Sequence, residues 1–105
     1  MKKELLKLLT GAIENAAEAV NDKMVRQSEV TDYLTACAYA RDLASFYKFL
    51  SDINHIVDVQ ELKGVDDWDF IKWWVLDDDG INCIHEYAED NDLEDYEDEV
   101  IKLFE

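Results

Sequence analysis

Glu61-Leu-Lys63, with Asp58 or Asp52 upstream, has the residue types of a metal-dependent nuclease: carboxylates to hold a divalent cation and a lysine to steady a phosphate. The pattern is short enough to recur by chance, and the acids around it repel the phosphates a nuclease must approach. Asp77-Asp78-Asp79-Gly80 has the aspartates of a calcium loop, and Glu86 falls where the closing glutamate would stand. The first ligand position of that loop is Val75, which has no side-chain oxygen to give. Cys83 and His85 lie two apart, with no second pair to complete a tetrahedral zinc site. His55 stands alone, and both histidines read as structural. Neither Cys37 nor Cys83 has a histidine in sequence positioned to activate it. There is no phosphate-cradling glycine loop. The ten Lys and Arg residues are too few and too scattered for a nucleic-acid-binding patch. These residues assemble no catalytic centre, so the expectation is a non-enzyme with no cofactor and no metal.

The acids are a different matter. Residues 88–100, AEDNDLEDYEDEV, hold eight carboxylates among thirteen positions. The formal net charge of the chain is −16, and it is unevenly spread. Residues 1–53 carry seven Lys/Arg against eight Asp/Glu, while residues 54–105 carry three against eighteen. General solubility would spread acid over the whole surface; concentration in one half points to a directed face.

Such a face needs elements to hold it. A chain of 105 residues, 49% hydrophobic and 11% aromatic, is one domain's worth of sequence and can bury a core. Proline is absent and glycine occurs at three positions, which favours long elements and short turns. KKELLKLLTGAIENAAEAVNDKMV predicts a helix, with Leu5, Leu9, Ala12, Ala16 and Val20 at spacings of three and four, and with a bend or close neighbour at Gly11. Ser28 or Thr31 could cap a second helix over EVTDYLTACAYARDLASFYKFLSDI. Its two apolar rows are Tyr33, Cys37, Ala40, Ala44, Tyr47 and Ala36, Tyr39, Leu43, Phe46, Leu50, Ile53. They predict a central helix covered on both flanks. HIVDVQEL then reads as a strand, and WDFIKWWVLDDDGINCIHEYAE as two strands around an Asp79-Gly80 turn. The competing reading makes residues 66–76 and 81–90 helical. Three aspartates at the end of the first of those helices would oppose its dipole, which favours the hairpin. Asp92 as N-cap, with Leu93, Tyr96, Val100, Leu103 and Phe104 at helical spacing, makes the acidic stretch a docked helix over 92–104. The expected architecture is a single α+β domain: two long N-terminal helices, a small antiparallel sheet and an acidic C-terminal helix. The alternative is an all-α bundle.

The charge density sets the functional expectation. Duplex DNA presents one phosphate per roughly 3.4 Å along each strand. A helix over 92–104 would carry six acids in its first two turns: Asp92, Glu94, Asp95, Glu97, Asp98 and Glu99. EDNDLEDYEDEV and DDWD beside the Trp73-Trp74 pair resemble the phage-encoded DNA mimics, the anti-restriction and anti-CRISPR inhibitors, in composition and over residues 58–105. That resemblance implies a non-enzymatic acidic inhibitor that blocks the basic nucleic-acid-binding site of a defence protein. An immunity protein or antitoxin against a basic nuclease toxin has the same electrostatics, and a small acidic structural or regulatory phage module is a further alternative. The expected partner-binding residues are Asp66, Asp67, Asp69, Asp77, Asp78, Asp79, Glu89, Asp90, Glu94, Asp95, Glu97 and Asp98, with Trp73 as an aromatic anchor. The expected partner is a basic nuclease or defence complex, with no direct contact to nucleic acid or membrane. Met1-Lys2-Lys3 leads into a stretch too short and charged for a secretory core, and no apolar run reaches the roughly 18 residues of a span. A cytoplasmic chain, in the host's cytoplasm if phage-encoded, with both cysteines as reduced, buried thiols follows as the expectation. The sequence leaves the oligomeric state open.

Overall fold

The seven apolar residues Leu5, Leu8, Leu9, Ala12, Ile13, Ala16 and Ala17 recur on a stripe too wide for a single helix neighbour. In the computed structural model, which describes residues 3–29, 33–56 and 59–105 (the side chains of 27–29 and 59–60 excepted), all seven are buried. They belong to α1, Lys3–Glu29, whose 27 residues at about 1.5 Å each run most of the molecule's 43 Å length. Helix α2, Tyr33–Ile53, packs along one side of it. After a 3-10 segment at Val59–Gly64 come α3, Trp68–Leu76, and α4, Asp78–Asp90. A 3-10 turn at Glu94–Tyr96 leads into α5, Glu97–Lys102. Helices α4 and α5 also pack on α1. The central helix is therefore α1. The reading that gave α2 this place is corrected: its row Ala36, Tyr39, Leu43, Phe46, Leu50, Ile53 turns inward, but Tyr33, Cys37, Ala40, Ala44 and Tyr47 are all exposed.

No strand occurs among the described residues, so the α+β expectation with its antiparallel sheet fails and the all-α alternative fits. The strand expected in HIVDVQEL is a turn at His55 followed, from Val59, by 3-10 helix; Val57 and Asp58 lie outside the described residues, as does Thr31, and Ser28 is described in its backbone alone, within α1. The hairpin at Asp79-Gly80 is replaced by a one-residue elbow. Asp77 ends α3, its N–H donating to the Trp73 and Trp74 carbonyls at 3.1 and 3.2 Å. The same residue starts α4, its carbonyl accepting from the Ile81 N–H at 3.0 Å. Asp78 and Asp79 thus oppose no dipole. They occupy the first turn of the next helix, where the positive end favours them.

Gly80 serves close approach, not a left-handed turn, since no glycine has positive φ. A methyl group there would overlap the Trp74 carbonyl oxygen and lie 2.7 Å from its carbon. Gly11 has the close neighbour its position in the stripe foreshadowed, because the Tyr87 ring of α4 lies directly against it.

The C-terminal segment is docked, but not as one helix. Asp92 is no N-cap; it takes φ 56°, a left-handed turn that ends α4. The Leu93 N–H donates back to the Ala88 carbonyl at 2.8 Å, the long closing bond of a Schellman-type stop, and both side chains are buried. Leu93, Val100 and Phe104 enter the core as their spacing foretold, while Tyr96 and Leu103 are half-buried. Phe104 stacks on Trp68 with ring centroids 4.9 Å apart.

Candidate partner-binding face

Helix α4 sorts its residues by period. Gly80, Ile84 and Ala88 are buried against the core. Asp78, Asp79, Asn82, Glu86, Glu89 and Asp90 face solvent. Asp79, Asn82, Glu86 and Asp90 follow one another at spacings of three and four, so they form one row along roughly 16 Å of helix. Glu86 belongs to this row but was not among the expected site residues. With α4 helical, the spacing alone identifies it. Helix α4 contains no Lys or Arg.

Two acid groups flank the row. At the α3–α4 elbow, Asp69, Trp73 and Asp77 succeed one another at i, i+4 spacing. All are exposed, and Trp73 is 65% exposed. Its ring leans on Phe70 at 6.3 Å, the outermost contact of an aromatic series that continues through Phe46 to the buried Trp74. Of the three tryptophans, then, Trp68 and Trp74 serve packing and Trp73 is presented.

At the other end of α4, Glu89 and Asp90 meet the turn carrying Glu94, Asp95, Glu97 and Asp98, all exposed except the half-buried Glu97. His85 joins the two elements here. Its Nε2 lies 3.0 Å from Glu89 and its Nδ1 2.8 Å from Glu97. Both ring nitrogens face carboxylates, an arrangement that suits the doubly protonated ring. The Glu97 hydrogen bond, then the Glu89 and Glu97 charges, raise the His85 pKa above its ordinary value. The carboxylate partners of His85 could not be seen in the sequence.

Asp66 and Asp67 stand apart from this face. Asp66 is held by Lys48 at 2.9 Å, and Lys48 also reaches Asp52 at 3.2 Å. The Lys48 hydrogen bond, and then its charge, hold the Asp66 carboxyl below its usual range. Asp67 precedes α3 and is half-buried, with Oδ2 enclosed and unpaired among the described residues. The Asp66 carboxylate is exposed but tied to Lys48, and that of Asp67 is half-buried.

The metal candidates do not converge. Among the described residues no three of His, Cys, Asp and Glu gather as a metal site. Asp77 to Gly80 form a helix junction, not a loop. Cys83 and His85, two apart on a helix, point different ways: Cys83 lines a cleft, where burial and then the Glu86 charge push its thiol pKa up, while His85 turns to Glu97. Cys37 is exposed on α2, correcting its reading as a buried thiol.

That cleft, about 450 Å³, opens between α2 and α4 over α1. Phe46, Phe70 and Trp74 give it an aromatic lining; Asp42, Asp77, Asp79 and Glu86 stand among its polar lining residues, with Lys23 on α1.

No family model, curated protein or solved structure matches this chain. Among the described residues, no helix is long and apolar enough to cross a membrane.

Proposed function

We propose that this chain is a non-enzymatic acidic inhibitor that occupies the nucleic-acid-binding groove of a basic protein, acting in the cytoplasm. The carrying observation is the exposed α4 row, Asp79, Glu86 and Asp90, with further exposed acids, Glu94, Asp95 and Asp98, in the turn that follows the helix. Helix α4 carries five carboxylates over its 13 residues. One DNA strand presents roughly six phosphates over the same ~20 Å. A cationic groove would be drawn to this face quickly and in a salt-dependent way. Trp73 supplies what a bare run of charge lacks: a rigid aromatic surface between Asp69 and Asp77. An arginine of the partner could lay its guanidinium there and its stem over the cleft mouth.

The test begins with capture of the partner from host lysate on immobilised chain, followed by competition with duplex DNA. The reading expects a nucleic-acid-binding protein that duplex displaces and added salt releases. It expects the combined variant Glu86→Gln, Asp90→Asn, Asp95→Asn to lose capture. A captured protein that duplex DNA fails to displace, or that binds the neutralised variant equally well, refutes it. If the captured protein is a nuclease toxin, the inhibitor acts as an immunity protein; if it is a defence nuclease, as a countermeasure.

A further inference from the structure

Helix α2 buries one apolar row and leaves the other bare. Tyr33, Cys37, Ala40, Ala44 and Tyr47 recur at spacings of four, three, four and three, the seam of a helix that packs on another helix. All five are exposed, Tyr33 by 77% and Tyr47 by 52%, and Leu34 beside them by 80%. Single exposed apolar residues need no explanation, but a row of five in register with a neighbour does.

We propose that a second copy of this chain covers this seam, giving a two-fold pair built on α2 against α2. The electrostatics choose this occupant. Two chains of −16 repel each other over most of their surfaces. Helix α2 is near-neutral, with Arg41 and Lys48 balancing Asp42 and Asp52. It packs on α1 and meets α3, whereas the acidic α4 packs on α1, α3 and the C-terminal segment, across a cleft from the inner face of α2. Pairing through the seam therefore uses a surface that holds none of the α4 acids, and salt screens the repulsion that is left. A cationic partner finds no net charge here to attract it. The shape also suits a copy: Ala40 and Ala44 let two backbones approach, and the tyrosines close the ends. Tyr33, Leu34 and Tyr47 with the small residues between them offer roughly 500 Å² per copy, roughly 1,000 Å² in a pair. That is the lower edge for specific association, so the pair is weak and concentration-dependent.

Sedimentation equilibrium of the full chain, from about 5 to about 500 µM, spans the range where such an interface assembles. The mass should rise from 12.2 kDa towards twice that value. Ala40→Glu and, separately, Ala44→Glu put a charge in the seam at exposed positions that glutamate's helix propensity tolerates, so far-UV circular dichroism should be unchanged. Each should weaken association by roughly tenfold or more. A wild-type chain that stays monomeric throughout, or folded variants that associate as well as wild type, overturns the proposal. Association abolished by Glu86→Gln with Asp90→Asn but not by Ala40→Glu also overturns it, because the contact would then lie on the acidic face.

Discussion

Replacing Gly80 with alanine tests the packing that holds the acidic face in place. Gly80 is an interior residue of α4, where alanine ordinarily gains about 1 kcal/mol over glycine. Here the added methyl would overlap the Trp74 carbonyl oxygen, with the carbonyl carbon at 2.7 Å and the Val75 Cα at 3.0 Å. All three obstacles are backbone of α3, so no rotamer change relieves them, and the two helices must move apart. Overpacking of this kind costs about 1–3 kcal/mol even where side chains can give; against backbone the upper end applies. Net of the propensity gain, Gly80→Ala should destabilise by about 2 kcal/mol, lowering Tm by about 8–16 °C for a domain of this size. Thermal unfolding followed by circular dichroism measures it. Gly11→Ala is the control: its obstacle is the Tyr87 ring, which can swing, so the loss should be smaller and the added change Tyr87→Ala should recover part of it. If Gly80→Ala instead raises Tm, the α3–α4 elbow is not packed as described, and the row along α4 loses its support.

Three further outcomes are expected. His85 has a raised folded-state pKa, so its stabilisation is complete below the unfolded value of 6.5 and is lost as pH rises through the folded value. Wild-type Tm should therefore fall more between pH 6 and pH 8 than that of His85→Gln; equal slopes would mean that the ring makes no use of Glu89 and Glu97. Phe104→Ala removes a side chain only 1% exposed and stacked on Trp68, and should cost about 3 kcal/mol in urea denaturation; a loss under about 1 would mean a frayed C-terminus. Asp92→Gly relieves a left-handed residue at the end of α4 and should stabilise by about 0.5–1 kcal/mol in the same assay, whereas a loss would mean that the Asp92 side chain secures the turn.

What was legible in the sequence follows the range of the physics. The stripe of α1 and the docking of Leu93, Val100 and Phe104 come from periodicity within one segment, and both survive in the structure. The segment around Asp77–Gly80 did not survive. Asp-Gly is a strong turn signal over two residues, and Trp73, Trp74 and Val75 favour strands, so local preference pointed to a hairpin. The deciding contact, Gly80 against the Trp74 carbonyl, exists only once both helices are in place. Asp78 and Asp79 misled for a related reason: they belong to the first turn of the helix ahead, not to the end of the one behind. On α2, two apolar rows were read as two covered flanks, but apolarity does not say whether the cover belongs to the same chain. Glu86 was missed because its membership of the row depends on the helical period of α4. The His85–Glu97 contact spans twelve residues and two elements, with no local pattern to announce it.

On the proposed reading, the acids are placed for a partner and not for solubility alone. At helix N-termini, as for Asp78, Asp79, Glu97 and Asp98, a carboxylate is locally favourable. Glu89 and Asp90 stand in the last turn of α4, where the dipole opposes them, and Glu94 and Asp95 crowd the same end. His85 contacts Glu89 and Glu97 and leaves Asp90 unaddressed. A chain selected only to stay dissolved could carry its acids on the near-neutral α1 and α2 surfaces. Keeping Asp90 costs about 0.3–1 kcal/mol by the dipole alone, so Asp90→Asn should raise Tm by about 1–8 °C at low salt, with the gain shrinking as salt is added. The same substitution should weaken capture of a cationic partner, because it removes one charge from the row. Stability and affinity must move in opposite directions. If Asp90→Asn lowers both, the carboxylate is serving the fold, and the case for a face held at the expense of stability fails at its sharpest point.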